Sequence, residues 1–293
     1  IGATDSQFGC ARAESDLLRY EPDFVVVDFS VNDESTEHFL ETYEGVIRKL
    51  YYAEKKPAVM LLHNVYYHDG SNAQLQHAKI ARHYDIPAVS MQSSIYPELL
   101  AGRIENRAIT PDDLHPNDEG HELVASVITH TLEQIRESAG MEVKSDSGEA
   151  EKVPLTANAY EDSIRYQNDS DVFTANGFVA DQDRQDGITD IFKNGWTAAH
   201  TNDKISFEIE CSCLAVQYRK SVQQPVPKAK AVIDGDEAHA VILDGNFTED
   251  WGDCLYLEPL LHHAEKKVHR IEITITDAKD IVRPFYLVSL IVS

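Results

Sequence analysis

Phe24-Val25-Val26-Val27-Asp28-Phe29-Ser30-Val31-Asn32-Asp33 is the stretch from which the fold can be read. Its first six residues form a short, apolar, β-branched run, as expected of a strand buried on both faces of a parallel sheet. The four polar-rich residues that follow stand where open α/β sheets place their sites, beyond the carboxyl end of a strand. Working downstream, Phe39, Leu40, Tyr43, Val46, Ile47 and Leu50 recur at three- and four-residue steps and predict a helix. Pro57 stops it, and Ala58-Val59-Met60-Leu61-Leu62 is the next buried strand. Leu75, Ala78, Ala81 and Tyr84 mark a second helix, and Ile86-Pro87-Ala88-Val89 a third, shorter strand. Asn117 caps a long helix with one stripe of Leu123, Val124, Val127, Ile128, Leu132 and Ile135. Such alternation implies an α/β domain over residues 1–137, a parallel sheet with helices on both faces.

The stretch 138–154 changes character: it holds Gly140, Gly148 and mixed charges without periodicity, and reads as a linker. Over 155–293 the period becomes two. Ile205-Ser206-Phe207-Glu208-Ile209-Glu210-Cys211 alternates cleanly, as does His269-Arg270-Ile271-Glu272-Ile273-Thr274-Ile275-Thr276. Val232-Ile233-Asp234-Gly235 and Ile242-Leu243-Asp244-Gly245 read as strands ending in turns, and the chain finishes on an apolar strand from Phe285. Many short strands with Asp-Gly punctuation predict an antiparallel, jelly-roll-like β-sandwich.

The 293 residues carry 26 Lys+Arg against 50 Asp+Glu, a formal charge of −24. That surface repels phosphate backbones, so nucleic acid and anionic membranes are poor partners. The sequence has no run of 18 apolar residues that would cross a bilayer. Cys10, Cys211, Cys213 and Cys254 are too few for a disulfide framework and are expected as reduced packing residues, which points towards a cytoplasmic setting. Cys211 and Cys213 should face one side of a strand.

Two constellations carry chemistry. Asp112-Asp113-Leu114-His115-Pro116 precedes the long helix. An Asp three residues before a His, in a loop stopped by Pro, can fold back and accept the imidazole Nδ1–H, leaving Nε2 as a base. Taken alone, this is as consistent with a turn entering a helix. Ser30-Val31-Asn32-Asp33 offers an amide donor to an oxyanion; taken alone, it is as consistent with a cap on the next helix. In this order and at these element ends, the two resemble the SGNH hydrolases, also called GDSL esterases. That family has a flavodoxin-like three-layer fold and four sequence blocks. Ser30-Val31-Asn32-Asp33 matches the third block with Ser in place of its first Gly, Asp112 to Pro116 match the fourth, and Gly2-Ala3-Thr4 matches the second. Two-domain carbohydrate acetylesterases of gut bacteria look most similar within the family, and Trp251-Gly252-Asp253-Cys254 adds to that likeness.

The resemblance implies a serine ester hydrolase that removes small acyl groups, acetyl above all, from carbohydrate, with no metal or organic cofactor. His115 would be the base, Asp112 its orienter, and Gly2 N–H and Asn32 the oxyanion donors. The first, serine-bearing block is not found. Asp5-Ser6-Gln7-Phe8-Gly9 mimics it, but only five residues precede Ser6, so no strand delivers it to the sheet edge. Ser6 reads as a helix-start residue and Ser71 as a loop residue, so the nucleophile and first strand are expected upstream of Ile1. His63 reads as a near-core residue and His262-His263 as a surface pair. Trp196 and Trp251 could stack on sugar rings, against a core role for Trp in a sandwich. A carbohydrate-binding scaffold without catalysis, and a lipase or thioesterase of the same family, remain the alternative readings.

Overall fold

A computed structural model of the chain describes residues 1–138 and 151–293. The chain divides into two compact units: one gathers residues 5–7 and 17–158, the other residues 1–4, 8–16 and 159–293. The first helix, α1 (Ser6–Asp16), therefore contributes most of its length to the sandwich unit rather than to the α/β unit. Phe8 and Ala11 are the reason. They are buried in one apolar cluster with Ala215, Leu255, Tyr286, Val288 and Ile291. The Arg165 guanidinium also lies 5.2 Å above the Phe8 ring.

In the α/β unit, β1 (Phe24–Val27), β2 (Ala58–His63) and β3 (Ala88–Ser90) form a parallel sheet in that order. The connections are α2 (Glu37–Tyr51), capped by Thr36, and α3 (Gln74–Tyr84). After β3 come two short helices, α4 (Ile95–Leu100) and α5 (Asn106–Ile109), then α6 (Asp118–Ser138). These are the strands and helices expected from periodicity, with bounds moved by a residue or two. Met60, Leu62, Val65, Val89, Met91 and Ile109 pack with Val124 of α6 into one core.

Two expectations need correction. β1 is not buried on both faces: Val25 and Val27 are covered, but Phe24 is 44% and Val26 40% exposed. By register these two stand beside Ala58 and Met60, yet Met60 is fully covered. Among the described residues, β1 pairs with β2 alone. In α3 the buried face is not an apolar stripe from Leu75, which is 72% exposed. It consists of Gln76, His77, Ile80, Ala81 and Tyr84.

Residues 139–150 of the expected linker lie outside the described residues. Its remaining part is bound into the α/β unit. Arg48 pairs with Glu151 and donates to Lys152 O at 2.9 Å. Just beyond, the Glu44 carboxylate accepts the backbone N–H groups of Leu155 (2.6 Å) and Thr156 (2.8 Å) and the Tyr84 hydroxyl (2.6 Å). Burial pushes the Glu44 carboxyl up, but the bonds from Thr156, Tyr84 and Leu155 outweigh it, and the net direction is down.

The other unit is a β-sandwich. One sheet runs Val241–Asp244, Lys228–Ile233, Lys267–Asp277, Lys204–Cys211, Phe173–Asn176. The other runs Cys254–Leu261, Leu214–Lys220, Phe285–Val292, Trp196–Ala198, Val179–Ala180, with Ile164–Tyr166 also on the Phe285 strand. The long pairings are antiparallel. Asp234 (φ 52°) and Gly235 (φ 76°) make the turn expected after Ile233. None of the four cysteines forms a disulfide, and all are buried. Cys211 ends its strand, so Cys213 lies beyond it in the next turn, where Cys213 N–H donates to Ser293 O at 3.1 Å.

Candidate active site

Because β1, β2 and β3 are parallel, their carboxyl ends share one edge of the sheet. The segment Ser30-Val31-Asn32-Asp33 leaves that edge as a turn in which Asn32 N–H (3.0 Å) and Asp33 N–H (2.8 Å) both donate to Phe29 O. Ser30 is buried. Its hydroxyl lies 2.9 Å from Asn64 O, and its own carbonyl accepts Ala73 N–H at 2.7 Å. Asn32 is exposed, and among the described residues its side-chain amide makes no hydrogen bond.

Asp112 and His115 meet as their spacing suggests. Asp112 Oδ2 lies 2.7 Å from His115 Nδ1, while Asp112 Oδ1 accepts the backbone N–H groups of His115 (2.8 Å) and Leu114 (3.1 Å). The bond from the imidazole, then the backbone bonds, hold the Asp112 carboxyl well below the usual carboxylate range. The ionised acceptor at Nδ1 leaves Nε2 as the open nitrogen of an imidazole that is 75% exposed. The loop is anchored on both sides. Asp113, at φ 69°, binds Asn106 Nδ2 and Arg107 through its carboxylate, each at 2.8 Å. Asn117 caps α6 by accepting Gly120 N–H at 3.0 Å and donates to Ala108 O at 2.9 Å. Gly120 is required there: a Cβ would stand 2.2 Å from Ile109 O.

The segment after β2 joins the two constellations. Tyr66 hydroxyl donates to Val31 O at 3.2 Å, and Tyr67 N–H donates to Asp113 O at 2.7 Å. Nothing in the sequence pattern singles out these tyrosines, because one of the two bonds uses only backbone.

Beneath the Asn32 turn lies a buried polar group that sequence reasoning also missed. Asp33 Oδ1 accepts Ser6 N–H at 2.8 Å, and Asp33 Oδ2 lies 3.0 Å from His77 Nε2. The His77 ring stacks on Tyr43 at 3.6 Å between centroids. His63, expected near the core, is buried beside it with a centroid distance of 5.8 Å, and among the described residues neither of its ring nitrogens has a hydrogen-bond partner. Burial, with the His77 ring nearby, pushes the His63 imidazole down to about 3. Burial pushes Asp33 up to about 7 and His77 down to about 3. Between pH 4 and 6.5 the unfolded pair and the folded pair each hold one proton, so their effects on stability cancel. His63 is not compensated. The unfolded chain binds a proton there below about 6.5 that the fold refuses until about 3, so its stability contribution is complete above 6.5 and lost as pH falls. Unfolding free energy should fall towards pH 4 by up to about 1.4 kcal/mol per pH unit more than in His63→Gln. Parallel pH curves for the two proteins in chemical denaturation would remove the assignment.

The other expected residues fall differently. Gly2 is exposed in a turn closed by Thr4 Oγ1 on Ile1 O at 2.8 Å, and it belongs to the sandwich unit. Trp196 cannot stack on a sugar: it is fully buried, edge-on to Phe173 (5.1 Å) and Phe207 (5.6 Å). Alternation on its short strand turns it inward. Trp251 is 56% exposed and packs edge-on to Phe247 at 5.0 Å. His262 and His263 are exposed, and Tyr160 hydroxyl is 2.7 Å from His262 Nδ1.

No family model and no curated protein matches the sequence. Solved structures do. A two-domain esterase active on acetylated mannans superposes with a TM-score of 0.95 at 57% identity, the match covering 100% of this chain and 78% of that one. The same esterase co-crystallised with mannopentaose gives 0.94, with the same identity and coverage. At that identity over its whole length, the chain belongs to this family of two-domain esterases.

Proposed function

We propose that the protein is an SGNH-type serine esterase that removes acetyl groups from a mannan or a related carbohydrate. The observation that carries the reading is the Asp112–His115 pair, 2.7 Å apart with Nε2 open, in a loop tied to the Asn32 turn. The substrate class follows from kinship with the esterase active on acetylated mannans.

In this reading a serine attacks the acetyl carbonyl while His115 Nε2 takes its proton. Asn32 receives the oxyanion. The tetrahedral adduct collapses as His115 returns the proton to the sugar oxygen. Water, deprotonated by His115, then attacks the acetyl-serine, and acetate leaves as the serine regains its proton. Asp112 keeps the imidazole in the Nδ1–H tautomer and faces the imidazolium formed in each half-reaction.

The attacking serine is assigned to a part of the protein outside residues 1–293. Four serines of the α/β unit are engaged elsewhere. Ser6 Oγ is buried 2.6 Å from Thr42 Oγ1, Ser30 Oγ faces Asn64 O, and Ser90 Oγ donates to Gln74. Ser71 sits in an exposed turn with its N–H on Asp69. The bare face of Phe24 and Val26 suits a further strand with its following helix, because parallel sheets are covered on both faces. A fluorophosphonate should label active protein on a serine outside 1–293. Label on Ser6, Ser71 or Ser90 would overturn that placement, and active protein that takes no label would overturn serine catalysis.

A further inference from the structure

We infer that His77 is a positioning residue for ester hydrolysis, holding the Asn32 turn in its active shape through the buried carboxyl of Asp33. The inference rests on the reading of Asn32 as an oxyanion donor.

The Asn32 side chain is exposed and makes no hydrogen bond among the described residues, so its orientation is set by its neighbours in the chain. Its backbone is closed onto Phe29 O, and the next residue, Asp33, is the anchor. The Asp33 side chain is wholly enclosed: Ser6 N–H donates to Oδ1, the Ser6 hydroxyl also bonds the carboxyl, and His77 Nε2 faces Oδ2. Ser6 opens the helix that follows the Gly2-Ala3-Thr4 turn, so one carboxyl links that helix start to the Asn32 turn. His77 in turn is fixed twice. Its ring lies flat on Tyr43, with 6° between planes, and its backbone belongs to the first turn of α3, whose Ala73 N–H binds Ser30 O.

The hydrogen-bond inventory fixes the tautomer. His77 Nδ1 is buried with no hydrogen-bond partner among the described residues. Once Asp33 is ionised, above about pH 7, a bare lone pair there is less costly than an orphaned N–H, so the ring proton sits on Nε2 and donates to Asp33. Asp28, Tyr43 and His63 are the other titratable groups around the ring. None of them offers Asp33 a second donor. Without His77, Oδ2 of an enclosed carboxyl loses its donor and the turn is free to rotate Asn32 away from the developing oxyanion.

The test uses the active full-length esterase and p-nitrophenyl acetate. His77→Asn, whose amide is too short to reach Asp33, should lower kcat by about 10–100-fold with KM within about two-fold, as small misplacements of reacting groups do. His77→Gln places an amide N–H near the position of Nε2 and should recover most of that loss. Both variants keep a polar side chain of similar bulk, so they serve even where His77→Ala does not fold. In an Asn32→Ala background, His77→Asn should cost no more than about two-fold further, because the residue it positions is gone. Equal kcat for the Asn and Gln variants, or full additivity with Asn32→Ala, would overturn the inference. His115→Ala run alongside separates the two levels: activity surviving there sinks the hydrolase reading itself, whereas a dead His115→Ala with an undisturbed His77→Asn sinks only the role of His77.

Discussion

His115→Ala should give a folded protein that hydrolyses p-nitrophenyl acetate about 10³-fold more slowly or worse, at least about 4 kcal/mol of lost transition-state stabilisation. The imidazole is exposed and touches the rest of the fold mainly through Asp112, so its removal leaves no cavity. The loop itself is held by backbone bonds to Asp112 Oδ1, by the Asp113 contacts with Asn106 and Arg107, and by the Asn117 cap. None of these uses the His115 ring. Tm should therefore stay within a few degrees, consistent with a surface substitution. In the proposed cycle every proton passes through this one nitrogen, and nothing else in the loop has a comparable lone pair. Turnover within ten-fold of the parent would remove His115 as the base.

Asn32→Ala is expected to lower kcat by about 10²–10³-fold, roughly 3–4 kcal/mol, with KM almost unchanged. The amide is exposed and unengaged among the described residues, so the change removes a donor without unseating the turn, which Phe29 O, Asp33 and Ser30 hold in place. An oxyanion donor acts on charge that develops only in the transition state, so its loss belongs in kcat. A rise in KM at constant kcat would make Asn32 a substrate-binding residue instead.

Much of this was legible because it is local. Three strands and the helices between them follow from apolar spacing. The Asp112–His115 bond follows from a three-residue offset closed by a proline. What stayed hidden depends on partners distant in sequence. Apolar spacing locates the helix at 74–84 but not its buried face, because a buried histidine needs Asp33, forty-four positions away, to be satisfied. Apolar periodicity has no way to count such a residue as core. The run 24–29 promised two covered faces, since composition reports what a strand can bury, not what lies over it. Phe8 and Ala11 gave no signal that they would pack on the sandwich, 200 residues downstream. Trp196 and Trp251 look alike as letters; the first is enclosed between Phe173 and Phe207, while the second sits in a loop.

Gly120 sets a limit on how this enzyme can be hardened against heat. Replacing a glycine inside a helix with alanine is a routine route to a more heat-resistant protein, worth up to about 1 kcal/mol where the backbone allows it. Gly120 lies in the first turn of α6 with nothing unusual in its backbone, and a search for such sites would choose it. Here the added methyl would meet Ile109 O at 2.2 Å and Pro116 Cβ at 2.9 Å, both backbone or ring atoms with little room to yield. The strain would fall on the segment between them, which is the loop that carries Asp112 and His115. Alanine at this position would therefore lower both heat resistance and turnover, and helix α6 should be strengthened at its exposed distal turns instead.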